Sequence, residues 1–184
     1  MNEGNAEQVI SSREIYRGRI ISLRVDEIRL SSGRTTTREI VDHPGAVVIV
    51  AVDQSDRVSL VRQYRAAVAK VTLELPAGTR EPNETPEQCA RRELQEETGM
   101  TAKTWQPLVG FYSTPGFTNE YLSVFVATDL DVANAHPEED ESIQREWVDL
   151  AAIPGLISDG ELCDAKTIAG LLCYLQGVRR ARGV

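Results

Sequence analysis

The sequence predicts a layered domain of the α+β or α/β/α kind, and three stretches carry that prediction. Ala46 to Val52 (AVVIVAV) is an unbroken apolar, largely β-branched run, as a strand buried on both faces requires. Thr85 to Gly99 (TPEQCARRELQEETG) has the start and stop signals of one amphipathic helix. Asp164 to Arg182 sets Ile168, Leu171, Leu172 and Leu175 at helical spacing. Strands come first and helices are interleaved later, which favours layers over a pure bundle or barrel.

Taken in order, residues 1 to 8 are polar and expected to fray. Ile20 to Leu30 and Thr35 to Val41 are expected strands around the turn Ser31-Ser32-Gly33-Arg34. Ile21, Leu23 and Val25 alternate, then the apolar phase slips to Ile28 and Leu30, so a bulge is expected near Asp26. Asp53 to Arg57 is a turn from Ala46–Val52 into a strand at Val58 to Tyr64, and Val71 to Leu75 is a strand stopped by Pro76. The helix Pro86 to Thr98 has Thr85 as N-cap, Pro86 at its first position, Gln88 completing a capping box and Gly99 at the left-handed stop. Leu108 to Tyr112, Tyr121 to Thr128 and Ile143 to Val148 are strands, the last with Trp147 inward. Val132 to Ser142 is an acidic loop, and Ala151 to Leu156 a short helical turn.

Composition sets the outer limits. The chain has 184 residues and is 41% hydrophobic, enough for one domain with a real core plus a small extension. A net charge of −8 argues against nucleic acid or an anionic membrane as the main partner. The longest apolar run is too short to span a bilayer, and no signal peptide is visible. Three cysteines with no CxxC pair suit a reduced, cytoplasmic setting. His43 and His136 have no Cys or His at ligand spacing, which disfavours zinc.

The chemistry concentrates on the first helix. Glu93, Glu96 and Glu97 share one face, with Glu84 and Glu87 toward its start, while Ala90 and Leu94 point inward. Like charges so placed repel. Either the face is simply solvated, or it holds a hard cation through oxygen ligands, Mg²⁺ or Mn²⁺ rather than zinc. Arg92 stands where it can pair with a neighbouring carboxylate and fix its rotamer.

The surroundings favour the cation. Gly78 to Met100 (GTREPNETPEQCARRELQEETGM) resembles the signature of the Nudix hydrolase family, with Gly78, Glu84, Arg92, Glu93, Leu94, Glu96, Glu97, Gly99 and Met100 at its fixed positions. The resemblance implies an α/β/α sandwich around a mixed sheet and hydrolysis of a nucleoside diphosphate linked to another group. It implies Glu93, Glu97 and the Ala77 carbonyl as metal ligands, with Glu96 close by. Tyr112 to Glu120 (YSTPGFTNE), Leu73 to Gly78 (LELPAG) and Asp164 to Leu172 (DAKTIAGLL) narrow it to the ADP-ribose pyrophosphatase branch.

Within that branch the expected reaction converts ADP-ribose to AMP and ribose 5-phosphate. The arginines of VRQYRA and TREIV, Arg62, Arg65 and Arg38, offer forks for phosphate oxygens. By resemblance Arg65 contacts the phosphates and Arg38 reaches the partner subunit's site. Glu74, Pro115 and Glu120, in the branch-like segments, complete the expected substrate contacts. Glu139 is the expected general base and Glu141 a further ligand, with Glu138 in place of Glu139 if the register shifts by one. The implied assembly is a homodimer that exchanges a β extension, residues 1–42, ahead of a hydrolase domain, 43–184. Hydrolysis of another NDP-sugar such as GDP-mannose, cleavage of a damaged nucleoside triphosphate, and a non-catalytic ADP-ribose sensor are the rivals. The intact glutamate set disfavours the sensor, and Pro115 with the N-terminal hairpin disfavours the triphosphatase.

Overall fold

The computed structural model describes residues 7–133 and 143–182. The chain divides into two compact units, one comprising residues up to Gly45 with Tyr112–Tyr121, the other Ala46–Phe111 with the chain from Leu122 onward.

The first unit is built on an antiparallel sheet of β1 (Gln8–Arg17), β2 (Ser22–Arg29) and β3 (Thr35–Asp42), in that order. The inward face of β2 carries Asp26 and Ile28, both buried. Asp26 accepts from Ser12 Oγ at 2.6 Å and from Arg24 Nε, and Arg24 Nη1 also reaches Asp42. All three strands are thus stitched by one polar network, and Ser12 and Arg24 hold the Asp26 carboxyl below its ordinary range against the cost of burial. The bulge expected near Asp26 is not in β2 itself, which pairs with β3 without a break. The irregularities lie in the β1–β2 register instead, between Val9 and Ser11 and between Glu14 and Tyr16. The phase slip therefore reflects a buried, paired aspartate on an ordinary strand. β1 itself had no apolar alternation to announce it, since every one of its residues is exposed. The segment around Pro115 joins this unit through Val41 N–H to the Phe117 carbonyl, 2.8 Å, and Asn119 Nδ2 to Asp42, 3.0 Å.

The second unit is layered. Its strands are β4 (Ala46–Ala51), β5 (Arg57–Arg65), β6 (Lys70–Glu74), β7 (Ala77–Thr79), β8 (Met100–Tyr112), β9 (Tyr121–Val132) and β10 (Ile143–Asp149), the last residue of β8 and the first of β9 lying in the other unit. One sheet has the order β7-β4-β9-β8, with β4 parallel to β9 and antiparallel to β7, and is therefore mixed. A second, β10-β5-β6, is antiparallel, and a bridge between Val52 and Val58 links the two. The helices are α1 (Pro86–Thr98), α2 (Ile153–Ser158) and α3 (Ala165–Arg182).

β4 explains the layering. Val47, Ile49 and Ala51 pack with Cys89, Ala90 and Leu94 of α1, while Val48 and Val50 pack with Leu171 of α3 and Ile153 of α2. Alternate side chains leave a strand on opposite faces, so one strand feeds two cores and must be apolar throughout. α3 lies close on its side: a Cβ on Gly170 would sit 3.0 Å from Leu75 Cδ1. Trp147 is half-buried in the α1-side core, flanked by the Arg57 and Arg145 guanidinia.

Candidate active site

α1 forms where its caps predict. Thr85 Oγ1 accepts from Gln88 N–H, Gln88 Oε1 accepts from Thr85 N–H, and Gly99 closes the helix at φ +67°. The apolar side of the helix is pinned by Cys89, Ala90 and Leu94, which turns Glu93 and Glu97 toward the short strand β7. Glu97 is itself buried, and its Oε2 accepts the Ala77 N–H at 3.1 Å. The Glu93 carboxylate fills the space over Gly78, where an added Cβ would lie 1.9 Å from its carboxyl carbon. Glycine at this position is required by contact: no other residue leaves room for that carboxylate.

The repulsion among the glutamates is met by one cation. Arg92 donates to Glu84 (3.0 and 3.1 Å), to Glu93 (2.7 Å), to Glu96 (2.8 Å) and to the Thr79 carbonyl. Its hydrogen bond holds the Glu84 carboxyl below the ordinary range, and the same carboxylates raise the Arg92 pKa. Burial pushes the Cys89 thiol up, so it packs as a neutral residue in the helix face.

Beside this cluster stands a second one. Glu74, 2% exposed, accepts from Arg65 Nε and Nη2 (2.9 and 2.7 Å), from Thr72 Oγ1 (2.5 Å) and from Lys166 Nζ. Burial alone would raise its pKa, but Arg65, Lys166 and Thr72 hold it down at about 2. The β5–β6 register accounts for the gathering: Val61 faces Glu74, Gln63 faces Thr72 and Arg65 faces Lys70, so Arg65, Thr72 and Glu74 share one sheet face. Lys166, Asp164 and Thr167 come from the start of α3. Asp164 Oδ2 caps it by accepting Thr167 N–H, and Thr167 Oγ1 accepts the Leu75 N–H at 2.9 Å.

The residues singled out in the sequence are distributed as follows. Glu93, Glu96, Glu97, Arg92 and Ala77 are brought together around α1 and β7, and Arg65 and Glu74 pair with each other. Arg62 differs in parity from Arg65 and is engaged elsewhere, by Glu146 at 2.7 Å and Glu161 at 3.1 Å. Arg38 pairs with Glu7 in the first unit. Pro115 and Glu120 also belong to that unit, Glu120 standing 3.8 Å from His43. Glu138, Glu139, Glu141 and His136 lie outside the described residues. Lys166 and Thr72 join the Glu74 cluster with no motif in the sequence to mark them. A lysine in the first turn of a helix opposes the helix dipole, and that was the available signal that a buried carboxylate claims it.

Among the described residues no three His, Cys, Asp or Glu side chains are gathered at metal-holding spacing. The oxygen set of Glu93, Glu97 and the Ala77 carbonyl nevertheless suits a hard divalent cation in kind, and the Gly78 cradle keeps the Glu93 carboxylate against the backbone.

A mixed sheet between helices, with this glutamate helix packed on a β-Gly corner, defines a class. The chain matches the NUDIX domain across residues 42–171 and belongs to that family. Residues 7–41 match the nucleoside diphosphate sugar hydrolase N-terminal domain. More particularly, the chain is 40% identical over 172 residues, 92% of each chain, to an ADP-ribose pyrophosphatase of Bacillus subtilis (strain 168). It is 39% identical over 169 residues, 90% of this chain and 81% of the other, to an ADP-ribose pyrophosphatase of Mycobacterium tuberculosis (strain ATCC 25618 / H37Rv). To a methanol dehydrogenase activator of Bacillus methanolicus it is 36% identical over 172 residues, again 92% of each. A solved structure of an ADP compounds hydrolase shares the fold with a TM-score of 0.87 at 21% identity, covering 100% of this chain and 99% of that one. No helix among the described residues is long and apolar enough to cross a membrane.

Proposed function

We propose that the protein hydrolyses the pyrophosphate bond of ADP-ribose, giving AMP and ribose 5-phosphate. The observation that carries this reading is the pairing of an all-oxygen donor set, Glu93, Glu97 and Ala77, with an arginine fork braced from behind by Glu74. The names of the Bacillus subtilis and Mycobacterium tuberculosis relatives support ADP-ribose as the substrate. Glu93, Glu97 and the Ala77 carbonyl, joined by Glu141, would hold Mg²⁺ or Mn²⁺. Such an ion, when bound, supplies charge neutralisation at the diphosphate and acidifies water. Arg65 takes phosphate oxygens with the hydrogens it does not give to Glu74. Glu139 accepts the proton of the attacking water, with Glu96 as the alternative base.

The reading extends to a homodimer that exchanges residues 1–42 and brings Arg38 to the partner's site, ahead of a hydrolase domain at 43–184. Its support is β1, an edge strand with Val9, Ile10, Ile15 and Tyr16 exposed. Three free cysteines support a cytoplasmic setting.

The deciding experiment is a panel of ADP-ribose, GDP-mannose and other NDP-sugars with Mg²⁺ or Mn²⁺ and product identification. AMP with ribose 5-phosphate is expected from ADP-ribose in preference to the rest. In ¹⁸O water, one phosphate product is expected to carry label, and label in neither rejects attack at phosphorus. A second reading rests on the name of the Bacillus methanolicus relative: activation of a methanol dehydrogenase. Adding such a dehydrogenase to the assay, and finding its rate unchanged, removes that reading.

A further inference from the structure

We propose that Lys166 is a positioning residue, which through the buried Glu74 carboxylate aims the Arg65 guanidinium that receives the diphosphate. The proposal rests on the ADP-ribose reading for its substrate but on the geometry of one network for its mechanism. Arg65 meets Glu74 edge to edge, Nε on Oε1 and Nη2 on Oε2, so the plane of the carboxylate fixes the plane of the guanidinium. Arg65 is itself half-exposed, and among the described residues the hydrogen bonds that hold its guanidinium go to Glu74. Whatever sets the Glu74 plane therefore sets the direction in which Nη1 points.

Two groups set it. Thr72 Oγ1 donates to Oε1 from the same strand, and Lys166 Nζ donates to Oε2 from the first turn of α3. Lys166 is in turn held by Asp164 Oδ2 at 2.9 Å, the atom that also caps α3. Thr167, the next residue, accepts the Leu75 N–H, and Pro76 accepts from Ile49 N–H, so the chain from Glu74 to Ala77 is anchored to α3 and to β4. Lys166 is mostly buried and turned away from the helix C-terminus that a lysine prefers. Its cost is offset by a carboxylate that a solvated lysine on a helix surface would never meet. Asp164, Lys166 and Thr167 thus act as one bracket, with a helix start locking both an arginine and the backbone that leads into the glutamate motif. A bracket of this kind makes binding precise without touching the substrate.

The test uses the full chain with a divalent cation and steady-state rates on ADP-ribose. Lys166→Met is expected to raise KM by about 10- to 100-fold, the span of a lost charge-assisted hydrogen bond, with kcat little changed. Lys166→Arg is expected to restore most of the loss. In a Glu74→Gln background Lys166→Met should add nothing, because the lysine acts only through that carboxylate. An unchanged KM in Lys166→Met, or a full-sized effect persisting without Glu74, overturns the proposal. Should Lys166→Met precipitate, Lys166→Leu, which likewise lacks a donor to Glu74, is read the same way. A readout independent of turnover is hydrogen exchange at the Arg65 Nε–H by ¹⁵N NMR, assigned with Arg65→Lys. Faster exchange in Lys166→Met is expected, and exchange equal to wild type overturns the proposal whatever the substrate proves to be. If wild type ignores ADP-ribose but cleaves another NDP-sugar, the substrate reading fails while the KM comparison on that sugar still decides this one.

Discussion

Gly78 and Glu93 separate the demands of folding from those of chemistry. In Gly78→Ala the new methyl meets the far end of the flexible Glu93 side chain, which can give way without moving backbone, so the fold should survive. The carboxylate cannot stay where it is. Turnover is expected to fall at least about tenfold, as for a disturbed ligand position, with a melting temperature near wild type. Glu97→Gln keeps shape and removes a charge from the cluster. Turnover at least ~10²-fold lower with folding intact is expected, and a value within about twofold of wild type would refute a ligand role. Glu74 gives a pH prediction. Its folded pKa, about 2, lies below the ordinary 4.5, so its stabilising contribution is full above that ordinary value and is lost as pH falls toward the folded one. The stability gap between wild type and Glu74→Gln, measured by urea unfolding, should therefore shrink as the pH is lowered through that window.

α1 was legible from end to end, because each boundary is a local event: a hydroxyl cap, a reciprocal glutamine and a glycine stop. Thr85→Ala should cost about 1 kcal/mol of stability by denaturant titration, the usual worth of such a cap. β1 was illegible for the opposite reason. With no buried face it has no period, and its pairing partner is the only thing that makes it a strand. The same distinction holds in the candidate site. Glu93, Glu97 and Arg92 are neighbours on one helix, whereas Lys166 and Glu74 meet across 92 residues and only the register of β6 with β5 and the docking of α3 unite them. Arg62 and Arg65 stand close in sequence, yet strand parity sends them to different partners. For the acidic loop, Glu139→Gln should lower kcat by ~10²- to 10⁴-fold with binding little changed, while Glu138→Gln should cost little. The reverse result would move the register by one residue.

For the whole molecule, the exchange reading predicts complementation. Arg38→Ala and Glu97→Gln subunits, each nearly inactive alone, should regain partial activity when mixed, because some mixed sites receive both intact residues. A fully active monomer at micromolar concentration, seen by analytical ultracentrifugation, would end the idea. The first unit also draws in the segment around Pro115, far along the chain, which no local pattern in the sequence announces.

β4 leaves a mark on what the gene can tolerate. Its odd residues serve one core and its even residues the other, so swapping one aliphatic for another of similar volume there should be mild. Gaining or losing a single codon within Ala46–Ala51 is a different event, for it sends every side chain beyond it to the wrong layer at once. In a saturation library scored for soluble protein, this strand should accept conservative missense alleles while being among the least forgiving places for in-frame insertions and deletions.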